Sequence, residues 1–187
     1  MLFLGRMLGA GKMTRRILKV LTGLALAAAC HGLAVAGPVE DGLDAAKRAD
    51  YATALKLWTP AAEKGDATAQ SYLGRLYLMG WGVPQDHAKA AGWYLKAAEQ
   101  GNTAAQNNLG TLYEHGDGVP RDYVQALSWF RKAAEAHALE AYINVGRAYE
   151  NGHGVKQSCE EATNWYRRAV KGGVPEASIV WPRCSNP

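Results

Sequence analysis

The sequence predicts an all-α solenoid built from helix-turn-helix repeats. Three segments, residues 73–101, 109–137 and 145–173, align with one another without a gap at a spacing of 36 residues. In each segment the apolar residues recur at the spacing of one helix face, and a glycine-rich turn separates two such stretches. A fixed period of this length is typical of helical solenoids, in which each unit buries its apolar face only against its neighbours. Such a stack offers an extended surface, which indicates a scaffold or receptor.

Each repeat contains two amphipathic helices. In the first helix of the first repeat, Ala69, Leu73 and Leu76 lie at positions i, i+4 and i+7 of one face. The second helix of each repeat places a tryptophan between small alanines, and these tryptophans are Trp93, Trp129 and Trp165. We expect each tryptophan to be buried between adjacent helices and to stabilise the fold by roughly 3–5 kcal/mol relative to alanine.

A G-x-G turn connects the two helices of each repeat, at residues 80–84, 116–120 and 152–156. The first glycine suits the position that ends a helix with a positive φ. The valine that follows the second glycine is expected to point into the core, and proline stops the helix in two of the three copies. The N-cap candidates for the second helices are Asp86, Asp122 and Ser158. A phosphate-binding loop would require a preceding strand, which the pattern lacks.

The repeat pattern continues in weaker form at both ends. Residues 37–65 form a degenerate N-terminal capping repeat, with helices expected over 39–48 and 51–65. The predicted full repeats are 66–101, 102–137 and 138–173. Residues 174–187 supply a short closing helix over 175–180 and a tail. Departure from the consensus at the ends is what a finite stack needs, because the outer face of a terminal unit has no neighbour.

Residues 1–36 have the layout of a secretory signal peptide. Arg15, Arg16 and Lys19 precede an apolar run over residues 21–30, and the tripeptide 34–36, Ala-Val-Ala, supplies the small residues that a signal peptidase reads. The apolar run is shorter than the roughly 20 residues of a membrane span. We therefore expect no membrane span once the signal is removed, and a periplasmic or secreted protein.

Two details of this segment leave alternatives open. Residues 27–30, Ala-Ala-Ala-Cys, resemble a lipoprotein cleavage box, although alanine stands where leucine is usual, so acylation of Cys30 is the alternative to ordinary secretion. Met13 gives a more ordinary positive start to the signal than Met1. Residues 1–12 are therefore expected to reflect a start-site error.

The positive net charge belongs to the N-terminal segment. The whole chain has 21 Lys and Arg against 17 Asp and Glu, a net charge of +4, and residues 1–36 hold five of the basic residues and no acidic ones. The remainder is close to neutral and slightly acidic. Without a basic stripe to neutralise phosphates, no nucleic-acid binding is expected.

Two cysteines, Cys159 and Cys184, remain after the predicted cleavage, and an even number in an exported chain favours a disulfide. Cys159 begins the last second helix, and Cys184 follows the closing helix that is expected to run antiparallel beside it. A bond between them would hold the last cap in place and contribute on the order of 3 kcal/mol. No catalytic residue, cofactor or metal site is predicted, because no histidine pair shares a helix face and no serine lies in a nucleophile elbow.

The repeat resembles the Sel1-like repeat, a branch of the tetratricopeptide superfamily. The pattern of that family, A-x-x-x-L-G-x-x-Y-x-x-G-x-G-V-x-x-D-x-x-x-A-x-x-W-x-x-x-A-A-x-x-G, occurs almost intact over residues 69–101. The copy over 105–137 lacks only the last glycine, and the copy over 141–173 departs at Val145, Ser158 and Val170. The resemblance implies a right-handed α/α superhelix that mediates protein–protein interaction.

A partner surface follows if the first helices line the concave side, as in tetratricopeptide relatives. Asparagine can pair with a peptide backbone amide, and arginine can bind a carboxylate with two hydrogen bonds. The candidate partner-binding residues are Tyr72, Asn108 and Asn144 at one repeat position, and Arg75, Thr111 and Arg147 one turn further on. The first hypothesis is an exported scaffold or adaptor that holds a protein or extended peptide on this face. The alternative is an envelope enzyme acting on β-lactam or cell-wall fragments, as described for cysteine-rich relatives.

Overall fold

The computed structural model describes residues 37–175, and within that range the chain forms α-helices and no strand. The helices are α1 (Pro38–Lys47), α2 (Tyr51–Glu63), α3 (Ala67–Met79), α4 (His87–Glu99), α5 (Thr103–His115), α6 (Tyr123–Glu135), α7 (Leu139–Asn151) and α8 (Cys159–Lys171). The two helices predicted for the N-terminal cap correspond to α1 and α2. The predicted signal segment, Cys30, the closing helix beyond residue 175 and Cys184 lie outside the described residues.

Consecutive helices pack side by side in chain order. The pairs α1–α2, α3–α4, α5–α6 and α7–α8 form hairpins, and the second helix of each pair also packs against the first helix of the next. The first helices α3 and α5 also contact each other. We therefore call the side lined by α1, α3, α5 and α7 the inner face. Four apolar clusters follow one another along the stack, which confirms the predicted helical solenoid.

In each full repeat, an aromatic ring of the second helix packs against a glycine of the first helix. Tyr94, Phe130 and Tyr166 occupy equivalent positions on the second helices and are at most 2% exposed. They face Gly74, Gly110 and Gly146 of the first helices. A methyl group at any of these glycines would overlap the ring. The glycine therefore sets how closely the two helices of a repeat approach.

The tryptophans of the second helices lie elsewhere than predicted. The prediction that each is buried is wrong for Trp93 and Trp165, which are half-buried, whereas Trp129 is 8% exposed. Each tryptophan lies one residue before the buried ring, so its side chain points about 100° away from that ring around the helix axis. In this direction the tryptophan packs into the apolar cluster between the first helix of its own repeat and the preceding unit. A Lys or Arg side chain three residues later covers each indole, with the charged group 3.8–4.4 Å from the ring centroid.

The G-x-G turn holds each repeat against the unit before it. Its first glycine has the predicted left-handed conformation, as at Gly116 with φ 79°. Its second glycine also has a positive φ and lies against the backbone at the start of the preceding second helix, Gly118 against His87 and Gly154 against Tyr123. These main-chain atoms cannot rotate away, so only glycine fits the contact. The valine after it is half-buried.

Buried glutamines connect neighbouring units at the other end of the helices. Gln70 Nε2 donates to the carbonyl oxygen of Ala62 at 3.0 Å, and Gln106 Nε2 donates to that of Ala98 at 3.1 Å. Both glutamines are at least 93% buried. Each of these carbonyls lies near the end of a second helix and also accepts a hydrogen bond from the backbone amide of the glycine just past it, Gly65 or Gly101, so the glutamine adds a second donor there. The same amide therefore caps one unit and orients the first helix of the next.

The predicted N-caps are confirmed. The Asp86 carboxylate accepts a hydrogen bond from the Lys89 amide at 2.9 Å, and this bond holds the pKa of Asp86 below its usual value. Asp122 accepts from the amide of Gln125, and the Ser158 hydroxyl from that of Glu161. These bonds fix the start of each second helix immediately after the turn.

Replacing Gly118 with alanine should destabilise the protein much more than replacing Gly101 with alanine. Both glycines have positive φ, 72° and 86°, but an added methyl group at Gly118 meets the His87 backbone, whereas at Gly101 it meets nothing within 4 Å. His137, which stands where Gly101 stands one repeat earlier, already has φ 63°. We expect losses in the free energy of unfolding of about 2–5 and about 1 kcal/mol respectively.

Urea unfolding followed by far-UV circular dichroism measures both losses. Equal losses for the two variants would show that the backbone contact between units does not limit stability.

Removing the hydroxyl of Tyr94 should be neutral or stabilising, whereas removing that of Tyr166 should be destabilising. The Tyr166 hydroxyl donates to Glu150 Oε2 at 2.7 Å. The Tyr94 hydroxyl is buried and makes no hydrogen bond within the described part of the chain. Burial raises the pKa of Tyr94 to about 12. We expect Tyr166→Phe to cost about 1.5–3 kcal/mol and Tyr94→Phe none; equal melting temperatures of the two variants contradict this assignment.

Candidate functional site

A cavity of about 250 Å³ opens where the N-terminal cap meets the first full repeat. Its walls come from α1, α2, α3 and the first G-x-G turn. Four aromatic side chains line it: Tyr51, Trp58, Tyr72 and Trp81. The remaining lining is aliphatic apart from two cations, Lys47 and Arg75. The cavity is therefore an apolar recess with positive charge beside it.

Contacts within the protein fix the aromatic walls. The rings of Tyr51 and Trp81 stack with their centroids 4.9 Å apart, and those of Trp58 and Tyr72 lie 4.6 Å apart. Trp58 Nε1 donates to the carbonyl oxygen of Val39 at 3.0 Å, which orients the indole and ties α2 to α1. The recess is thus largely formed before any ligand enters.

Arg75 supplies the uncompensated charge of the cavity. Its side chain projects from α3 and is exposed, with the guanidinium carbon 5.4 Å from the centroid of the Trp81 ring. No carboxylate among the described residues forms a salt bridge with it. Lys47, by contrast, is paired with Asp44 at 2.8 Å. The cavity therefore presents a guanidinium that rests on an aromatic face.

The cavity exists because the N-terminal cap departs from the repeat. The connection between α1 and α2, residues 48–50, is shorter than residues 80–86, which connect α3 to α4, and it has no G-x-G turn. From α1, the aliphatic side chains of Leu43 and Ala46 face the recess. Gly42 lies against the Trp58 ring, as Gly74 lies against Tyr94 in the next unit. The cap thus keeps the glycine–aromatic contact but leaves the space above it open.

The contact between the first residue of a second helix and the middle residue of the next G-x-G turn recurs along the stack with different residues. At the first junction this contact is the stacked pair Tyr51 and Trp81. At the second junction it is His87 and Asp117, with Nδ1 and Oδ1 3.9 Å apart. The third has Tyr123 and His153, with ring centroids 4.0 Å apart. The two positions that meet are therefore the same at each junction, whereas the stacked pair of tyrosine and tryptophan occurs at the first.

The structure brings only two of the predicted partner-binding residues into the cavity. Tyr72 and Arg75 line it. Thr111 donates its hydroxyl hydrogen to the carbonyl oxygen of Asn107 at 3.2 Å, and Asn144 Nδ2 donates to Asn107 Oδ1 at 2.9 Å, so both have partners inside the protein.

The two other predicted residues lie on the same face outside the cavity. Asn108 is half-buried on α5 near the Tyr94 hydroxyl, without hydrogen-bond geometry. Arg147 is exposed on α7. Sequence reasoning missed Tyr51, Trp58 and Trp81, because the alignment of repeats draws attention to shared positions and away from aromatic residues that only one unit carries.

Residues 37–175 contain neither a candidate metal centre nor a candidate membrane span. No group of three or more His, Cys, Asp or Glu side chains there could hold a metal ion. None of the described helices is long and apolar enough to cross a membrane. The predicted disulfide involves Cys184, outside the described residues, and stays a prediction; Cys159 lies at the first position of α8, as predicted.

Comparison with known proteins identifies the repeat. The sequence pattern of the Sel1 repeat matches residues 27–66, 67–102, 103–137 and 139–174, which together make up most of the chain. The chain belongs to the Sel1 repeat family. Sel1 repeat proteins are in general scaffolds for protein–protein interaction, and the all-helical stack described above is the architecture expected of them.

Solved structures of Sel1 repeat proteins are similar to this chain. A Sel1 repeat protein from Oxalobacter formigenes is 38% identical with a TM-score of 0.68, over 72% of this chain and 56% of its own. The protein c5321, a protective antigen present in uropathogenic Escherichia coli strains and displaying an SLR fold, is 40% identical with a TM-score of 0.64, over 66% of this chain and 26% of its own. This chain thus spans about half of the first and a quarter of the second. A comparison with curated proteins finds no match.

Replacing Trp58 with phenylalanine should loosen α1 without affecting the far end of the solenoid. The variant removes the hydrogen bond to the Val39 carbonyl oxygen and part of the ring contact with Tyr72. Because a solenoid unit is stabilised mainly by its nearest neighbours, we expect amide hydrogen exchange in Pro38–Lys47 to accelerate about tenfold and exchange in α7 to stay unchanged. The control is Trp129→Phe, which changes an indole remote from α1. Acceleration spread evenly over all helices would contradict nearest-neighbour coupling.

Proposed function

We propose that this Sel1 repeat protein is an exported interaction scaffold whose inner face holds an extended segment of a partner protein, anchored in the aromatic cavity. The observation that carries the proposal is the recess formed by Tyr51, Trp58, Tyr72 and Trp81 beside the unpaired Arg75. Aromatic and arginine side chains are the residues that most often dominate binding energy at protein interfaces. Here they lie together on a surface whose walls are already held in place.

The extent of the inner face sets the strength of the interaction. Past the cavity, the same face continues over α5 and α7, where Asn108 and Arg147 lie. An inner face made of four helices can contact a short peptide segment. The area of such an interface is smaller than that of a stable complex between globular domains. Affinity then depends on the anchor in the cavity, and the rest of the groove contributes mainly to orientation.

The exported location rests on the sequence of residues 1–36. A positive start, a short apolar run and an Ala-Val-Ala exit together favour secretion to the periplasm or beyond. Mass spectrometry of the mature N-terminus tests this part independently of binding. Cleavage after Ala36 supports a soluble exported protein, a lipid on Cys30 supports membrane anchoring, and an uncleaved chain contradicts export by this signal.

Charge reversal at Arg75 should abolish partner capture, whereas charge reversal at Arg147 should leave most of it. The two arginines occupy the same repeat position on α3 and α7, and both are exposed, but only Arg75 lines the cavity. The measurement is crosslinking of the tagged protein in intact cells, with captured proteins identified by mass spectrometry.

We expect a dominant partner whose yield falls at least about tenfold in Arg75→Glu and less than twofold in Arg147→Glu. Circular dichroism spectra of both variants should match that of the unchanged protein, since neither side chain is buried. Equal capture by all three proteins would place the partner somewhere other than the cavity.

A further inference from the structure

We infer that the cavity binds one large apolar side chain of a partner peptide together with a carboxylate close to it in the peptide, which pairs with Arg75. The inference rests on the proposed function, because it names the ligand chemistry of the same site. It follows from the size of the recess, the nature of its walls and the sign of the charge beside it.

The size of the cavity limits what can enter. About 250 Å³ is below the roughly 300–1,000 Å³ of sites that enclose a whole small molecule. It suits a single large side chain, with the rest of the ligand outside on the inner face. The walls are aromatic and aliphatic, and the Trp58 N–H is already bonded to the Val39 carbonyl oxygen. An apolar side chain therefore enters without leaving a polar group of that wall unpaired.

The charge beside the cavity selects among apolar ligands. A recess with several aromatic walls could in principle receive a cation, such as a lysine or quaternary ammonium group. Arg75 already covers the face of Trp81 and has no carboxylate partner among the described residues, whereas the charge of Lys47 is offset by Asp44. The guanidinium of Arg75 would repel a cation bound in the recess, whereas it would attract an anion. The arrangement therefore favours a carboxylate over an ammonium group.

The position of the guanidinium fits this role. Stacked on an indole, an arginine uses its flat face and keeps its N–H groups at the edge free to donate. No described carboxylate forms a salt bridge with Arg75, so the donors are available to a ligand. A carboxylate accepts two parallel hydrogen bonds from a guanidinium, a stronger and more directional contact than a neutral oxygen makes. The apolar side chain gives the anchor, and the carboxylate fixes which way the peptide runs.

Two sources could supply this carboxylate: an acidic side chain next to the apolar residue, or the C-terminus of the partner. The experiment compares four probes that carry the same phenylalanine. N-acetyl-Phe has a terminal carboxylate, N-acetyl-Phe-Glu-amide has an acidic side chain, N-acetyl-Phe-amide is neutral, and N-acetyl-Phe-Lys-amide is cationic. Each is titrated into the ¹⁵N-labelled purified protein, and binding is followed by the amide signals of α1 and α3 and the indole N–H signals of Trp58 and Trp81.

We expect at least one of the two anionic probes to bind about tenfold more tightly than the neutral one, and the cationic probe to bind most weakly. The better anionic probe identifies the source of the carboxylate. In Arg75→Gln the anionic probe should bind no more tightly than the neutral one, while the neutral probe binds as before. Arg147→Gln, the control at the same repeat position, should retain the full preference.

Other outcomes overturn the inference in distinguishable ways. Equal binding of the neutral and anionic probes would show that the ligand needs no carboxylate. The proposed scaffold function would be unaffected by that result, because partner capture in cells is measured separately. Tighter binding of the cationic probe reverses the charge assignment. If no probe moves the cavity signals and sedimentation shows a dimer that Arg75→Glu dissociates, the occupant is a second copy of the chain. If the probes bind only after residues 1–36 are removed, the occupant is that segment.

Discussion

The stack depends on the close approach of each G-x-G turn to the preceding unit. At Gly118 and Gly154 the backbone of the turn lies directly against the first residue of the preceding second helix, a distance that any Cβ would prevent. This contact sets the separation of neighbouring units. Within a unit, the glycine that faces Tyr94, Phe130 or Tyr166 sets the separation of the two helices. Two glycine contacts thus determine the geometry of the repeat, and the apolar clusters fill the spaces that remain.

Because these contacts are local, the ends of the stack can vary without disturbing its middle. The N-terminal cap retains the contact within its hairpin, Gly42 against Trp58, but has a shorter connection without a G-x-G turn. The first G-x-G turn still packs against the second helix of this cap, because Gly82 lies against Tyr51. The aromatic cavity lies at the junction between this cap and the first full repeat.

The repeat could be predicted from the sequence because its signals occur several times in register. The turn glycines, the N-caps at Asp86 and Asp122 and the helix pairs agree with the structure. The burial of the tryptophans could not be decided in the same way. Trp93 and Tyr94 are adjacent aromatic residues that recur together, and periodicity does not say which of them faces the helix partner. The deciding contact is with Gly74, which is far away in sequence and has no side chain to signal its role.

The cavity was beyond sequence reasoning for the opposite reason, since its walls do not repeat. Trp58, Tyr72 and Trp81 come from three different elements and meet only when the cap packs on the first full repeat. Under the proposed function, the same placement would couple ligand binding to the stability of the cap. A ligand that contacts both α1 and α3 binds only when α1 is docked, so it stabilises the docked helix by mass action. Under the proposed function, partner recognition at the junction of α1 and α3 is therefore coupled to the packing of the N-terminal cap on the first full repeat.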